Sequence, residues 1–183
     1  MESPDETKSP SRADDVPMET LMATYEAALL RYATRLLNNA DAAQDVVQTA
    51  FIRLHEHWAE CSGWAADHLK NWLYRTTHNA AVDYIRREER LRKLHDSHAA
   101  ETGDSLDAVQ GRELDAEDRK KLVLAYVAKL DEAEREVLLL RLQEGLSYDE
   151  IARVTGRTQG NVGCLLHFAV KNLGRRLKKA GVI

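Results

Sequence analysis

The stretch Gly145-Leu146-Ser147-Tyr148-Asp149-Glu150-Ile151-Ala152-Arg153-Val154-Thr155-Gly156-Arg157-Thr158-Gln159-Gly160-Asn161-Val162 holds two short helices and the turn between them. Ser147 stands three residues before Glu150, the spacing of a capping box, so a helix starts there. Ile151 and Ala152 face inward, and Ala152 is small enough for close helix approach. Gly156 supplies the left-handed backbone that a tight turn needs. Thr158 is placed to cap the next helix, which Val162, Leu166 and Ala169 can pack against the first. Spacing, caps and turn glycine agree on a helix-turn-helix. An αα-hairpin inside any helical domain would satisfy the same packing, so the rest of the chain has to discriminate.

Working outward, every segment with a pattern reads as helix. Leu21, Met22, Tyr25, Leu29, Ala33, Leu36 and Leu37 recur at steps of three and four residues, and Asn38-Asn39 stops them. Asp41 is placed to cap a second helix through about Glu60, with Ala43, Val46, Val47, Ala50, Phe51, Leu54 and Trp58 on its apolar side. Gln44, Asp45, Gln48 and Glu56 lie on the other side. Cys61-Ser62-Gly63 breaks the pattern, and Asp67 is placed to cap a long helix from His68 to about His95. Its inward side carries Leu69, Trp72, Leu73, Thr76, Ala80 and Tyr84. Ile85-Arg86-Arg87-Glu88-Glu89-Arg90-Leu91-Arg92-Lys93 then makes a basic end suited to phosphates.

Residues 96–118 are the sharpest shift in composition, with eight acids against one arginine, and mark an acidic flexible linker. Beyond it, Leu122, Tyr126 and Leu130 define one short helix and Val137, Leu138 and Leu142 another, ended by Gly145. Residues 1–17 are polar, hold all three prolines and show no apolar period, so a disordered tail is expected. The expected architecture is all-α: two small helical domains, 18–95 and 119–183, joined by the linker 96–118.

Composition narrows the function. Of 183 residues 31% are charged, Gly and Pro are scarce, and the formal charge is −4, which argues against indiscriminate coating of nucleic acid. No run approaches the roughly 18 apolar residues of a membrane span, and residues 1–16 carry acids where a signal peptide has a basic start and an apolar run. A cytoplasmic protein without membrane insertion is expected. Cys61 and Cys164 have no CxxC partner and are expected to be reduced and packed. The seven histidines form no ligand spacing beyond a loose His55/His57 pair, so no metal and no cofactor are expected. No acid/base pair, nucleophile constellation or phosphate loop is present, which makes an enzyme the least favoured class.

Three segments carry a family resemblance. Asp41-Ala42-Ala43-Gln44-Asp45-Val46-Val47-Gln48-Thr49-Ala50-Phe51-Ile52-Arg53-Leu54 resembles the polymerase-binding helix of sigma factors, where a D-A-x-D-x-V-Q-x-x-F run is typical. Asn71 to Arg87 is similar to the adjoining segment that melts and reads the −10 promoter element. Leu130 to Arg141, with the helix-turn-helix, resembles the −35 reader. In this order and separated by an acidic linker, they are identified as those of an extracytoplasmic-function sigma factor of the sigma-70 family. The resemblance implies core RNA polymerase and promoter DNA as partners, with no catalysis.

It also implies roles for residues. Gln44, Asp45 and Gln48 would meet the clamp helices of the polymerase's largest subunit; read without the resemblance, they are a solvated face. Asn79 would hydrogen-bond a −10 base held out of the stack, and Arg75, Arg86, Arg87 and Arg90 would hold phosphates of the opened strand, unless they pair with Glu88 and Glu89. Trp72 falls on the apolar face, leaving Tyr74 as the aromatic residue free to reach DNA. For the −35 element the polar candidates are Arg157, Thr158, Gln159, Asn161, His167 and Lys171, with Arg175, Arg176, Lys178 and Lys179 placed for phosphates.

One stretch departs from the family. Where basic and small polar residues usually follow Val162, this chain has Gly163, Cys164, Leu165 and Phe168. A solvent-facing Leu165 and Phe168 would form an apolar patch of the kind that docks on protein, here the N-terminal domain or an anti-sigma partner. The altered helix thus admits a second reading, a sigma-like decoy that binds an anti-sigma factor without engaging DNA.

Overall fold

The computed structural model describes residues 17–95 and 115–182, all helix and connecting turns. The N-terminal half comprises α1 (Met18–Leu37), α2 (Ala40–Glu56), the single turn α3 (Trp58–Cys61) and α4 (Ala66–His95). The C-terminal half comprises α5 (Ala116–Ala128), α6 (Glu132–Leu142), α7 (Tyr148–Thr155) and α8 (Gln159–Lys179). The tail through residue 16 and most of the acidic linker lie outside the described residues.

Local chemistry explains the breaks. Asn38 ends α1 in the left-handed conformation, at φ 51°, which an asparagine tolerates better than most residues. Asn39, not Asp41, caps α2: its side-chain oxygen accepts from the backbone N–H groups of Asp41 and Ala42, each at 3.1 Å. Asp41 and Asp67 instead lie inside the first turns of α2 and α4, where a carboxylate faces the positive end of the helix. The second helix also stops at Glu56, and the expected continuation to Glu60 is the separate turn α3. Asp115, Glu117 and Asp118, read as linker, form the cap and first turn of α5; the Asp115 carboxylate accepts from the Asp118 N–H at 2.8 Å.

In the N-terminal half, Leu29, Tyr32, Ala33 and Leu36 of α1 pack with Val46, Val47, Phe51 and Leu54 of α2 and Leu69 and Leu73 of α4. The C-terminal core is Val137, Leu138, Leu140, Leu146, Ile151, Val154, Val162, Leu166 and Ala169. The two cores are continuous: α7 packs on α4, and α6 on α1. The N-terminal domain is thus met mainly by α6 and α7, while the main packing partners of the recognition helix α8, which was expected to dock its apolar patch on that domain or on an anti-sigma partner, are α6, α7 and α5. Leu165 is half-buried against the core, so of the expected apolar pair only Phe168 is exposed. Cys61 is buried as expected, whereas Cys164 is exposed on α8.

Candidate nucleic-acid and polymerase interfaces

The helix-turn-helix assembles as its local signals dictate. Ser147 Oγ accepts from the Glu150 N–H at 3.2 Å, and the Glu150 carboxylate accepts from the Ser147 N–H at 2.7 Å, completing the capping box. The Ser147 hydroxyl also donates to the Glu150 carboxylate at 2.7 Å, and this bond, together with the one from the Ser147 N–H, holds the Glu150 carboxyl below its ordinary pKa. Gly156 turns the chain at φ 70°, and Thr158 caps α8 by accepting from the Asn161 N–H at 3.2 Å.

On α2, Gln44, Asp45 and Gln48 are all exposed, within one turn of each other, while Val46, Val47 and Ala50 are buried behind them. Beside them a groove of about 660 Å³ runs between α1 and α2, lined by Met18, Met22, Leu30, Val47, Phe51 and Ile52, with Gln44 and Gln48 at its edge. Ile52 is 51% exposed. The sequence reading missed this apolar companion to the polar face; the signal was Ile52 standing one turn beyond Gln48.

On α4, Arg75, Asn79, Arg86 and Arg90 are exposed. At about 100° per residue, these four fall within an arc of roughly 60°, a single stripe along the helix. Arg87 lies beside it with its guanidinium 6.0 Å from the Tyr84 ring centroid. Arg86 pairs with Asp83 at 4.0 Å, rather than with Glu88 or Glu89, and both partners are well exposed, so the pair leaves the guanidinium available. Trp72 is half-buried and meets Trp64 edge-on at 6.2 Å, in keeping with a packing role.

Two expected DNA contacts are placed otherwise. Tyr74 is 2% exposed, and its hydroxyl donates to Glu144 Oε2 at 2.5 Å, so it faces the C-terminal half and not solvent. Successive residues on a helix differ by about 100°, and α7 packs on α4 while Glu144, in the loop after α6, meets the side where Tyr74 falls. Arg157 donates to Glu136 at 3.0 Å, and Glu136 is only 2% exposed. Its guanidinium is thus committed to a buried carboxylate. Of the remaining −35 candidates, Thr158 is spent as a cap and Gln159 donates to Asp149 at 2.8 Å, while Asn161, His167 and Lys171 are exposed.

A buried polar pair joins α1 to α4: the Tyr32 hydroxyl and His78 Nδ1 share a hydrogen bond at 3.0 Å. Burial, with smaller contributions from Arg157 and Arg86, lowers the His78 pKa to about 4, so the ring is neutral at pH 7.

A helix-turn-helix half and a second helical half with an arginine-lined face define a two-domain DNA-binding protein. Residues 21–91 match sigma-70 region 2, and residues 113–173 match sigma-70 region 4. The ECF RNA polymerase sigma factor SigL of Mycobacterium tuberculosis is 31% identical over 170 residues, covering 93% of this chain and 94% of the relative. The RNA polymerase sigma factor YlaC of Bacillus subtilis is 25% identical over 167 residues, covering 89% and 93%. Among solved structures, the sigma factor RpoE of Bartonella quintana, crystallised with the anti-sigma factor NepR, shares the fold at a TM-score of 0.67 and 24% identity, covering 87% of this chain and 96% of that one. The chain belongs to the sigma-70 family and is an RNA polymerase sigma factor of the extracytoplasmic-function class.

Proposed function

We propose that this sigma factor binds core RNA polymerase through Gln44, Asp45 and Gln48, which meet the clamp helices of the largest subunit, with the adjacent groove and Ile52 adding apolar area. Asn79 holds a −10 base, while Arg75, Arg86, Arg87 and Arg90 hold the backbone of the opened strand. The C-terminal half contacts the −35 element through α8. The protein acts in the cytoplasm by binding alone and catalyses no reaction. The observation that carries this reading is the single exposed stripe of Arg75, Asn79, Arg86 and Arg90 on α4.

The test is transcription from a promoter library by core polymerase, with the intact protein and with the double variant Asp45→Ala, Gln48→Ala. Start sites that depend on the intact protein, and are lost in the variant although its melting temperature is unchanged, are the expected result. A silent library together with no binding to core would overturn the reading and leave the decoy that sequesters an anti-sigma factor.

A further inference from the structure

The recognition helix presents a face that domain packing does not use. Val162, Leu166 and Ala169 are buried and hold α8 against α6 and α7. Gly160, Cys164, His167, Phe168 and Lys171 lie on the opposite side at steps of three and four residues, and all five are exposed. Phe168 is 46% exposed, and its ring meets that of His167 edge-on, with centroids 5.7 Å apart. A Cβ built on Gly160 would meet nothing within 4 Å, so the first turn offers bare backbone to a closely approaching surface. From Gly160 to Phe168 the helix rises about 12 Å, the span of three to four base-pair steps.

Charge identifies the occupant. Every charged residue of α8 is basic: Lys171, Arg175, Arg176, Lys178 and Lys179. None of the five forms a salt bridge among the described residues. An uncharged strip that runs into unpaired cations, on the second helix of a helix-turn-helix, suits a major groove between phosphate rows. There, an arginine or lysine reads guanine, an asparagine reads adenine, and an apolar group reads the methyl of thymine. The first three turns of α8 hold no arginine or lysine, and the nearest arginine before them, Arg157, is bound to Glu136.

We infer that α8 reads a −35 element of A·T pairs, with Phe168 and Cys164 packing on thymine methyl groups and Asn161 on an adenine. This inference rests on the sigma-factor reading above and names the DNA chemistry that the recognition helix selects.

The experiment uses the full chain with core polymerase and a promoter recovered from the library, synthesised with single thymines of the −35 element replaced by deoxyuridine. Deoxyuridine keeps the hydrogen-bonding edge and lacks only the methyl. Binding should fall about fourfold for each methyl that packs on the helix. Phe168→Ala should bind the thymine promoter more weakly and lose the distinction between thymine and deoxyuridine at one position; Cys164→Ser should do the same at a neighbouring position. Because both side chains are exposed, neither variant should melt earlier. Protein-dependent start sites with no response to deoxyuridine anywhere in the element, or equal use of G·C-substituted elements, would overturn the inference and leave the sigma reading standing. Absence of any protein-dependent start site would remove both.

Discussion

The Tyr74 hydroxyl on α4 donates a hydrogen bond to the Glu144 carboxylate, 70 residues away in the loop after α6, at 2.5 Å. Burial first, then this bond, hold the hydroxyl well above the ordinary tyrosine pKa. Next to it in sequence, Gln143 accepts from Arg35 of α1, so two consecutive residues tie the C-terminal half to the N-terminal one. The Tyr32 ring meets the Tyr74 ring edge-on at 6.1 Å, which fixes the direction in which the hydroxyl points.

Tyr74→Phe should loosen this attachment while preserving the ring. A hydrogen bond to a charged group contributes about 1.5–3 kcal/mol, enough to shift a balance between closed and parted halves by tenfold or more. The radius of gyration from small-angle scattering should rise in the variant. Scattering identical to that of the parent chain would show that the bond does not hold the halves together.

His78 should make stability depend on pH. Its folded-state pKa of about 4 lies below the unfolded value of about 6.5, so in that window the unfolded chain binds a proton that the folded chain refuses. Stability is therefore complete above pH 6.5 and falls as the pH drops toward 4, by about 3 kcal/mol in all. His78→Asn should flatten urea-unfolding free energies between pH 6.5 and 5. The variant separates His78 from Glu132, whose carboxyl is held above its ordinary pKa by burial and by Glu136, so that its titration acts in the opposite sense. A slope that survives the substitution would assign the dependence elsewhere.

Arg157→Ala should destabilise the C-terminal half by about 3 kcal/mol, because Glu136 would remain buried without its cation. Denaturation midpoints read this directly. The double variant Arg157→Ala, Glu136→Leu should recover most of the loss, since an apolar residue of similar size needs no partner there. If Arg157→Ala leaves stability unchanged and only weakens DNA binding, then its guanidinium serves the −35 contact instead.

The helices, the turn at Gly156, the capping box at Ser147 and the segments that mark the family are all legible along the chain. Each rests on interactions within about four residues, where periodicity and cap chemistry act. The exposed polar face of α2 and the stripe on α4 follow from the same arithmetic, since residues opposite a buried row face outward. Even the choice between Asn39 and Asp41 as the cap of α2 turns on which residue lies just outside the first turn, a boundary that periodicity leaves open by a residue or two.

What the order of residues left open is which outward faces stay outward. Tyr74 and Arg157 read as free for DNA because nothing within a few residues claims them, but their partners Glu144 and Glu136 come from distant segments. Leu165 read as exposed, yet packing half-buries it against the core. These assignments depend on how α6 and α7 meet α1 and α4, and that is set by the fit of two apolar surfaces rather than by any local pattern.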